Sequence, residues 1–218
     1  MTAAFDAALR GAPARMLRSD GGEVVLAVRR WHADAAGGDR WLLDRCSGPV
    51  VDLGCGPGRL VVALTRRGIP ALGVDVSAAA VARCRARGAA VLQRDLFAAL
   101  PGRWDHVLLA DGNIGIGGDP FRLLRRAGAL LRPGGTVLVE TDPNPAACWS
   151  GMARVHTPEG AGPPLPWAVV GADALWEIAG AAGLAVTATY TGPRCFSELR
   201  LADAPRVGRR VASLPVVE

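Results

Sequence analysis

The sequence predicts an α/β fold, a mainly parallel sheet with helices on both faces, and three observations carry that prediction. From Val50 onward, short apolar runs alternate with helix-patterned stretches at regular spacing. The first run reads Val50-Val51-Asp52-Leu53-Gly54-Cys55-Gly56-Pro57-Gly58, an apolar strand that delivers an acid into three glycines on alternate residues. Strands two and three also end on acids, Asp75 and Asp95, which places polar groups along the carboxyl edge of the sheet, where such folds bind ligands.

The elements follow in order. Up to about Ser47 the chain reads as helical segments, Thr2–Arg10 and around Asp39–Cys46; Glu23–Arg30 is strand-like without a decisive pattern. Val50–Leu53 is the first strand and Arg59–Arg67 its helix, stopped by Gly68. Ala71–Val74 is strand two; Ser77 then caps a helix over Ala78–Arg87, which Gly88 ends. Val91–Gln93 is strand three and Asp105–Ala110 strand four. A helix over Phe121–Leu131 stops before Pro133-Gly134-Gly135, and Thr136–Glu140 is strand five. Asp142–Pro166 is rich in proline and reads as a long irregular lid or binding loop. A helix over Ala172–Ala182 and strands at Ala185–Thr191 and Phe196–Ala202 complete the pattern, followed by a loose tail, Asp203–Glu218. One domain is expected, with an N-terminal cap over 1–47, a core over 48–202 and the tail over 203–218.

Composition narrows the class. A hydrophobic content of 50 % over 218 residues supplies one core. All 25 basic residues are Arg, and the formal charge is +5. The arginines are spread along the chain, and the densest group, Arg83, Arg85 and Arg87, reads as a solvated helix face. No aromatics interleave with them, so a nucleic-acid partner is disfavoured. Cys46, Cys55, Cys84, Cys148 and Cys195 are odd in number and form no C-x-x-C pair, which argues against a disulfide framework or a zinc site and for reduced thiols in a cytoplasm. Asp6 and Arg10 interrupt the apolar start, so neither a signal peptide nor a membrane span is expected. No signature of oligomeric state is present.

The glycine turn defines a nucleotide-sized site, because glycines admit a close ligand and the following helix offers unpaired N–H groups. Asp52 just before the turn would repel a pyrophosphate but suits an ammonium, which disfavours NAD and favours a cofactor with an amino-acid end. Asp75, 23 residues later, can accept from both ribose hydroxyls. Dinucleotide sites use an acid there too, so Asp75 leaves both classes open. Asp95, within Gln93-Arg94-Asp95-Leu96-Phe97, can accept from an adenine amino group with Leu96 along the ring. Strand four emerges at Asp111-Gly112-Asn113 and opens into the glycine-rich Ile114–Gly118, read as a flexible loop.

These stretches, with the turn Leu130-Leu131-Arg132-Pro133-Gly134-Gly135-Thr136-Val137-Leu138-Val139-Glu140, resemble the class I S-adenosyl-L-methionine (SAM) dependent methyltransferases over Val50–Glu140. The resemblance implies a Rossmann-like, seven-stranded, mainly parallel sheet whose last strand is antiparallel, and SAM as the cofactor. Asp111–Pro120 further resembles a group of actinobacterial small-molecule methyltransferases. By position, the resemblance puts Asp52, Gly54, Cys55, Gly56 and Gly58 at the methionine end. Asp75 and Val76 fall at the ribose, Asp95 and Leu96 at the adenine, and Asp111 near the sulfonium. Asp111-Gly112-Asn113-Ile114 stands where the base-amine branch carries N-P-P-Y or D-P-P-Y, so support for DNA methylation is lost.

The expected reaction is methyl transfer to O or N of a small, apolar or aromatic metabolite. Candidate bases are His156, Asp111 and, from the N-terminal segment, His32; His106 is expected in the sheet packing. Trp31, Trp41, Trp149 and Trp167 could wall an acceptor site or pack the cap. Asp142 and Asn144 with Asp111 suggest a magnesium site, but Asp142-Pro143-Asn144-Pro145 is also an ordinary turn, and no metal is assigned. Two other readings are a SAM-binding regulatory or partner protein without catalysis, and an NAD-dependent oxidoreductase, which Asp52 and Asp95 disfavour.

Overall fold

A computed structural model describes residues 4–202 in two sheets. The chain opens with a one-turn helix α1 (Asp6–Leu9), strands β1 (Arg15–Arg18) and β2 (Glu23–Val24), and short helices α2 (Val28–His32) and α3 (Arg40–Leu43). Then β3 (Val50–Leu53), α4 (Arg59–Arg66), β4 (Ala71–Asp75), α5 (Ala78–Ala86), β5 (Val91–Gln93), β6 (Trp104–Leu109), α6 (Pro120–Leu130) and β7 (Leu131–Thr141) alternate. After β8 (Cys148–Thr157), β9 (Gly160–Ala161) and β10 (Leu165–Val170) come α7 (Ala172–Ala181), β11 (Leu184–Tyr190) and β12 (Cys195–Leu201).

The larger sheet has seven strands in the order β11-β12-β7-β6-β3-β4-β5. Strands β3 to β7 run parallel, and β12 is antiparallel to both β7 and β11. This is the expected mixed sheet, and period-two alternation explains how it is covered on both faces. Val51, Leu53, Val107, Leu109, Val137 and Val139 face α6 and α7, while Val50, Leu108, Ala110 and Leu138 pack on Leu42, Leu43, Leu60 and Leu64 of α3 and α4. The helix starts follow their caps. Ser77 Oγ accepts from Ala80 N at 3.3 Å, and Asp119 Oδ1 accepts from Arg122 N at 2.9 Å with Pro120 at the first helical position. His106 is buried as expected, with Nδ1 2.8 Å from Thr136 Oγ1.

Two expectations are corrected. Asp142–Pro166 is not an irregular lid: after a turn in its first residues, most of it forms β8 and β9 and enters β10 through short connections. These strands join β1 and β2 in a second, antiparallel sheet ordered β10-β8-β1-β2, with β9 beside β8. Its core holds Met16, Ala153, Val155, Leu165 and Trp167. The alternation in β8 is carried by small residues such as Gly151 and Ala153, and its partner β1 lies far away in sequence, so no local signal marks it. The N-terminal region carries the two expected helices, as α1 and α3, and β2 falls in the strand-like stretch, but β1 was not expected, and the two strands supply that sheet's other half. The tail over 203–218 lies outside the described residues. No helix among the described residues is long and apolar enough to cross a membrane.

Candidate active site

The carboxyl ends of β3, β4, β5 and β6 border one cavity, which the N-terminal segment and β10 close from above. Its floor is the glycine turn. Gly54 has φ of +77°, which a side chain tolerates poorly, and Asn113 Nδ2 donates to the carbonyls of Leu53 and Gly54 at 2.9 Å each. A Cβ at position 54 would lie 2.8 Å from Asn113 Nδ2 and from Ile116 Cδ1. Gly54→Ala should therefore destabilise the fold by about 1–3 kcal/mol, read as a fall in melting temperature; an unchanged melt would show that the turn relaxes freely.

Of the glycines after β6, Gly115 serves close approach, while Gly112, Gly117 and Gly118 take φ of +83°, +82° and +70°. Residues Asn113–Gly118 form two tight helical turns wedged against β10, where a Cβ on Gly115 would stand 2.1 Å from the Ala168 carbonyl oxygen. The expected flexible loop is thus a packed element.

Asp52, Asp75 and Asp95, the three strand-end acids, all line this cavity. Asp52 is 3 % exposed, and its carboxyl is pushed up to about 7 by desolvation, then by repulsion from Asp111, with Arg59 acting in the opposite sense. A cation arriving there would restore the carboxylate. Asp75 Oδ2 accepts from Gly56 N at 3.0 Å and Oδ1 from Ser77 N at 2.8 Å. Burial raises its carboxyl above the ordinary range despite these N–H groups. Asp95 Oδ1 accepts from Phe97 N at 2.9 Å, which turns the chain so that buried Leu96 lines the cavity. Cys55 and Val76 also line it.

Behind Asp111 lies an ion network that sequence reasoning missed. Arg59, 3 % exposed, bridges Asp39 and Asp111. Burial opposes its charge, but the two carboxylates outweigh that and hold the guanidinium above its ordinary value. Arg194 reaches Asp39 at 2.5 Å, Glu140 Oε2 at 2.6 Å and Asp111 at 3.2 Å; Arg30 Nε donates to Asp111 at 3.0 Å. Asp111 itself sits at φ of +55° with its N–H donating to Glu140 Oε2 at 2.5 Å. A non-glycine residue in that conformation has to be held there, and three arginines hold it. Arg59, directly after the glycine turn, carried a positional hint; Arg194, between the last two strands, carried none.

The other half of the cavity is apolar: Phe5, Leu26, Trp31, Ile116, Leu165 and Trp167. The rings tilt against each other, Phe5 to Trp31 at 6.4 Å and 58° and Phe5 to Trp167 at 5.6 Å and 47°. Trp41 instead stacks on Phe196 at 5.6 Å, and Trp149 packs in the second sheet. His156, opposite Arg15 on β8, does not line the cavity, and neither does His32, whose Nε2 is 3.0 Å from the Ala8 carbonyl. Asp142 and Asn144 make turn bonds to Asn144 N and Ala146 N.

Residues 50–135 match the family model described as a methyltransferase domain. The seven-stranded sheet and its helices have the Rossmann-like methyltransferase fold. A ubiquinone biosynthesis O-methyltransferase of Methylococcus capsulatus is 35 % identical over 100 residues; the match spans 42 % of this chain and 42 % of that relative, less than half its length. A SAM-dependent methyltransferase from Bacteroides fragilis, solved with S-adenosyl-L-homocysteine (SAH), aligns with a TM-score of 0.77 at 20 % identity, covering 92 % of this chain and 95 % of that one. A sugar N-methyltransferase from Streptoalloteichus sp. aligns with a TM-score of 0.59 at 17 % identity, covering 79 % and 88 %. At such identities the likeness is one of methyltransferase fold. The cavity also fits the cofactor of that fold, with a buried acid, a turn carrying glycine at 54, 56 and 58, and two further acids at the adjoining strand ends.

Proposed function

We propose that this protein is a SAM-dependent methyltransferase that methylates O or N of a small acceptor with an apolar or aromatic body. One observation carries the reading: a single cavity joins the glycine turn and strand-end acids to a wall of apolar and aromatic side chains. SAM bound there would supply an activated methyl group. On this reading Asp52 holds the ammonium, the turn from Gly54 to Gly58 passes under the methionine end, Asp75 and Val76 take the ribose, and Asp95 and Leu96 the adenine. The apolar half then excludes water and holds the acceptor in line, a near-attack alignment that lowers the barrier without covalent chemistry. Asp111, its oxygens taken by guanidinium groups, positions the loop after β6 beside the methyl and is not the base. The names of the similar proteins cover both oxygen and nitrogen acceptors.

Isothermal titration with SAH, using NAD as control, tests the reading. Micromolar binding of SAH alone is expected; binding of NAD, or of neither, would overturn it. The same titration has a pH signature. Because the Asp52 carboxyl titrates near 7, an incoming ammonium must displace a proton below that pH. SAH affinity should fall up to about tenfold per pH unit as pH drops from 7 to 5, and Asp52→Asn should flatten that slope. A pH-independent affinity in the unaltered protein would remove Asp52 as the ammonium partner.

A further inference from the structure

We infer that the acceptor atom is an amine nitrogen and not an alcohol oxygen, and that Phe5, Trp31 and Trp167 form the wall that receives it; this rests on the methyltransferase reading above. The first support is the inventory of bases. The whole chain has three histidines, one tyrosine and no lysine. His32 meets the Ala8 carbonyl, His106 is held in the sheet by Thr136, and His156 is on β8 opposite Arg15. Tyr190 packs against Phe196 and Trp41. None of them lines the cavity. Cys55 does, but its contact with Cys84 and its burial push the thiol up, so it is no base near neutrality.

The remaining titratable lining groups are Asp52, Arg59, Asp75, Arg94, Asp95 and Asp111, all on the glycine-turn side. Asp75 and Asp95 are engaged by backbone N–H groups, and both oxygens of Asp111 by guanidinium groups. An alcohol would need its proton removed as the methyl transfers, and among the described residues the apolar half offers no group to take it. An amine arriving uncharged needs no base. Its lone pair forms the N–C bond, the S–C bond breaks with its electrons returning to sulfur, and the resulting ammonium loses its proton to solvent.

The second support is the wall itself. Positive charge passes from sulfur to nitrogen during transfer, and aromatic faces attract a cation held near them. Phe5, Trp31 and Trp167 are tilted by 58° and 47°, so they make an angled pocket and not a flat stack. Such a pocket suits a methylated ammonium carrying an apolar body.

The test uses the SAH complex, with tryptophan fluorescence as the readout and two probes, benzyltrimethylammonium and benzyl alcohol. The ammonium is expected to bind at least tenfold more tightly. Trp31→Ala should abolish that preference and Trp31→Phe should retain most of it, with circular dichroism confirming that both variants fold. Radiolabelled SAM should methylate benzylamine and leave benzyl alcohol unlabelled. Equal or undetectable binding of the two probes, or label on the alcohol, would overturn the inference while SAH binding stands. Loss of SAH binding in the unaltered protein would instead overturn the methyltransferase reading beneath it.

Discussion

Arg194→Met should lower the melting temperature by roughly 6–20 °C, the largest stability effect expected from one substitution in this chain. Arg194 is the hub of the buried network: its side chain is 9 % exposed and bonds Asp39, Asp111 and both oxygens of Glu140. Burial works against its charge, but Glu140, Asp111 and Asp39 hold the guanidinium well above its ordinary value. Removing it leaves partly desolvated carboxylates facing one another, and breaking such a pair from one side typically costs about 3–5 kcal/mol. Arg194→Lys should recover only part of the loss, because an ammonium cannot fork between three acids. Arg40→Met is the control, since Arg40 is 79 % exposed beside Asp44 and an exposed pair contributes at most about 1 kcal/mol. Equal shifts in the two variants would show that the network adds nothing to stability.

Asp75→Ala should weaken SAH binding by about 100-fold or more while the chain still folds. Two hydrogen bonds from ribose hydroxyls to a carboxylate are each worth roughly 1.5–3 kcal/mol, and about 1.4 kcal/mol is a factor of ten. The carboxylate also ties Gly56 N and Ser77 N, so its loss loosens the turn that the cofactor rests on. Asp75→Asn keeps one acceptor oxygen and should lose less. Calorimetry with SAH decides the matter, and an affinity within threefold of the unaltered protein would end the ribose assignment.

Much of the larger sheet was legible in advance because its strands carry their own evidence. β3, β4, β6 and the second half of β7 are apolar and bounded by glycine or an acid, and burial on both faces requires that composition. Two helices announced themselves through Ser77 and the terminal Gly68 and Gly88, since caps satisfy backbone groups within a few residues. The Pro133-Gly134-Gly135 turn proved to be part of β7, where the register slips against β6 between Trp104 and His106. That slip depends on the neighbouring strand and has no local mark.

The sequence by itself determined the parallel core, the glycine turn and the three acids at its carboxyl edge, because each depends on residues close together in the chain. The tertiary structure alone decided what lies above them. It paired β1 with β8, brought Phe5, Trp31 and Trp167 to one wall, set His156 aside, and closed Arg59, Arg194 and Arg30 around Asp111. Those contacts join residues far apart in the chain, and their energies come from burial and from charges sharing a desolvated space. Neither exists until the chain has folded.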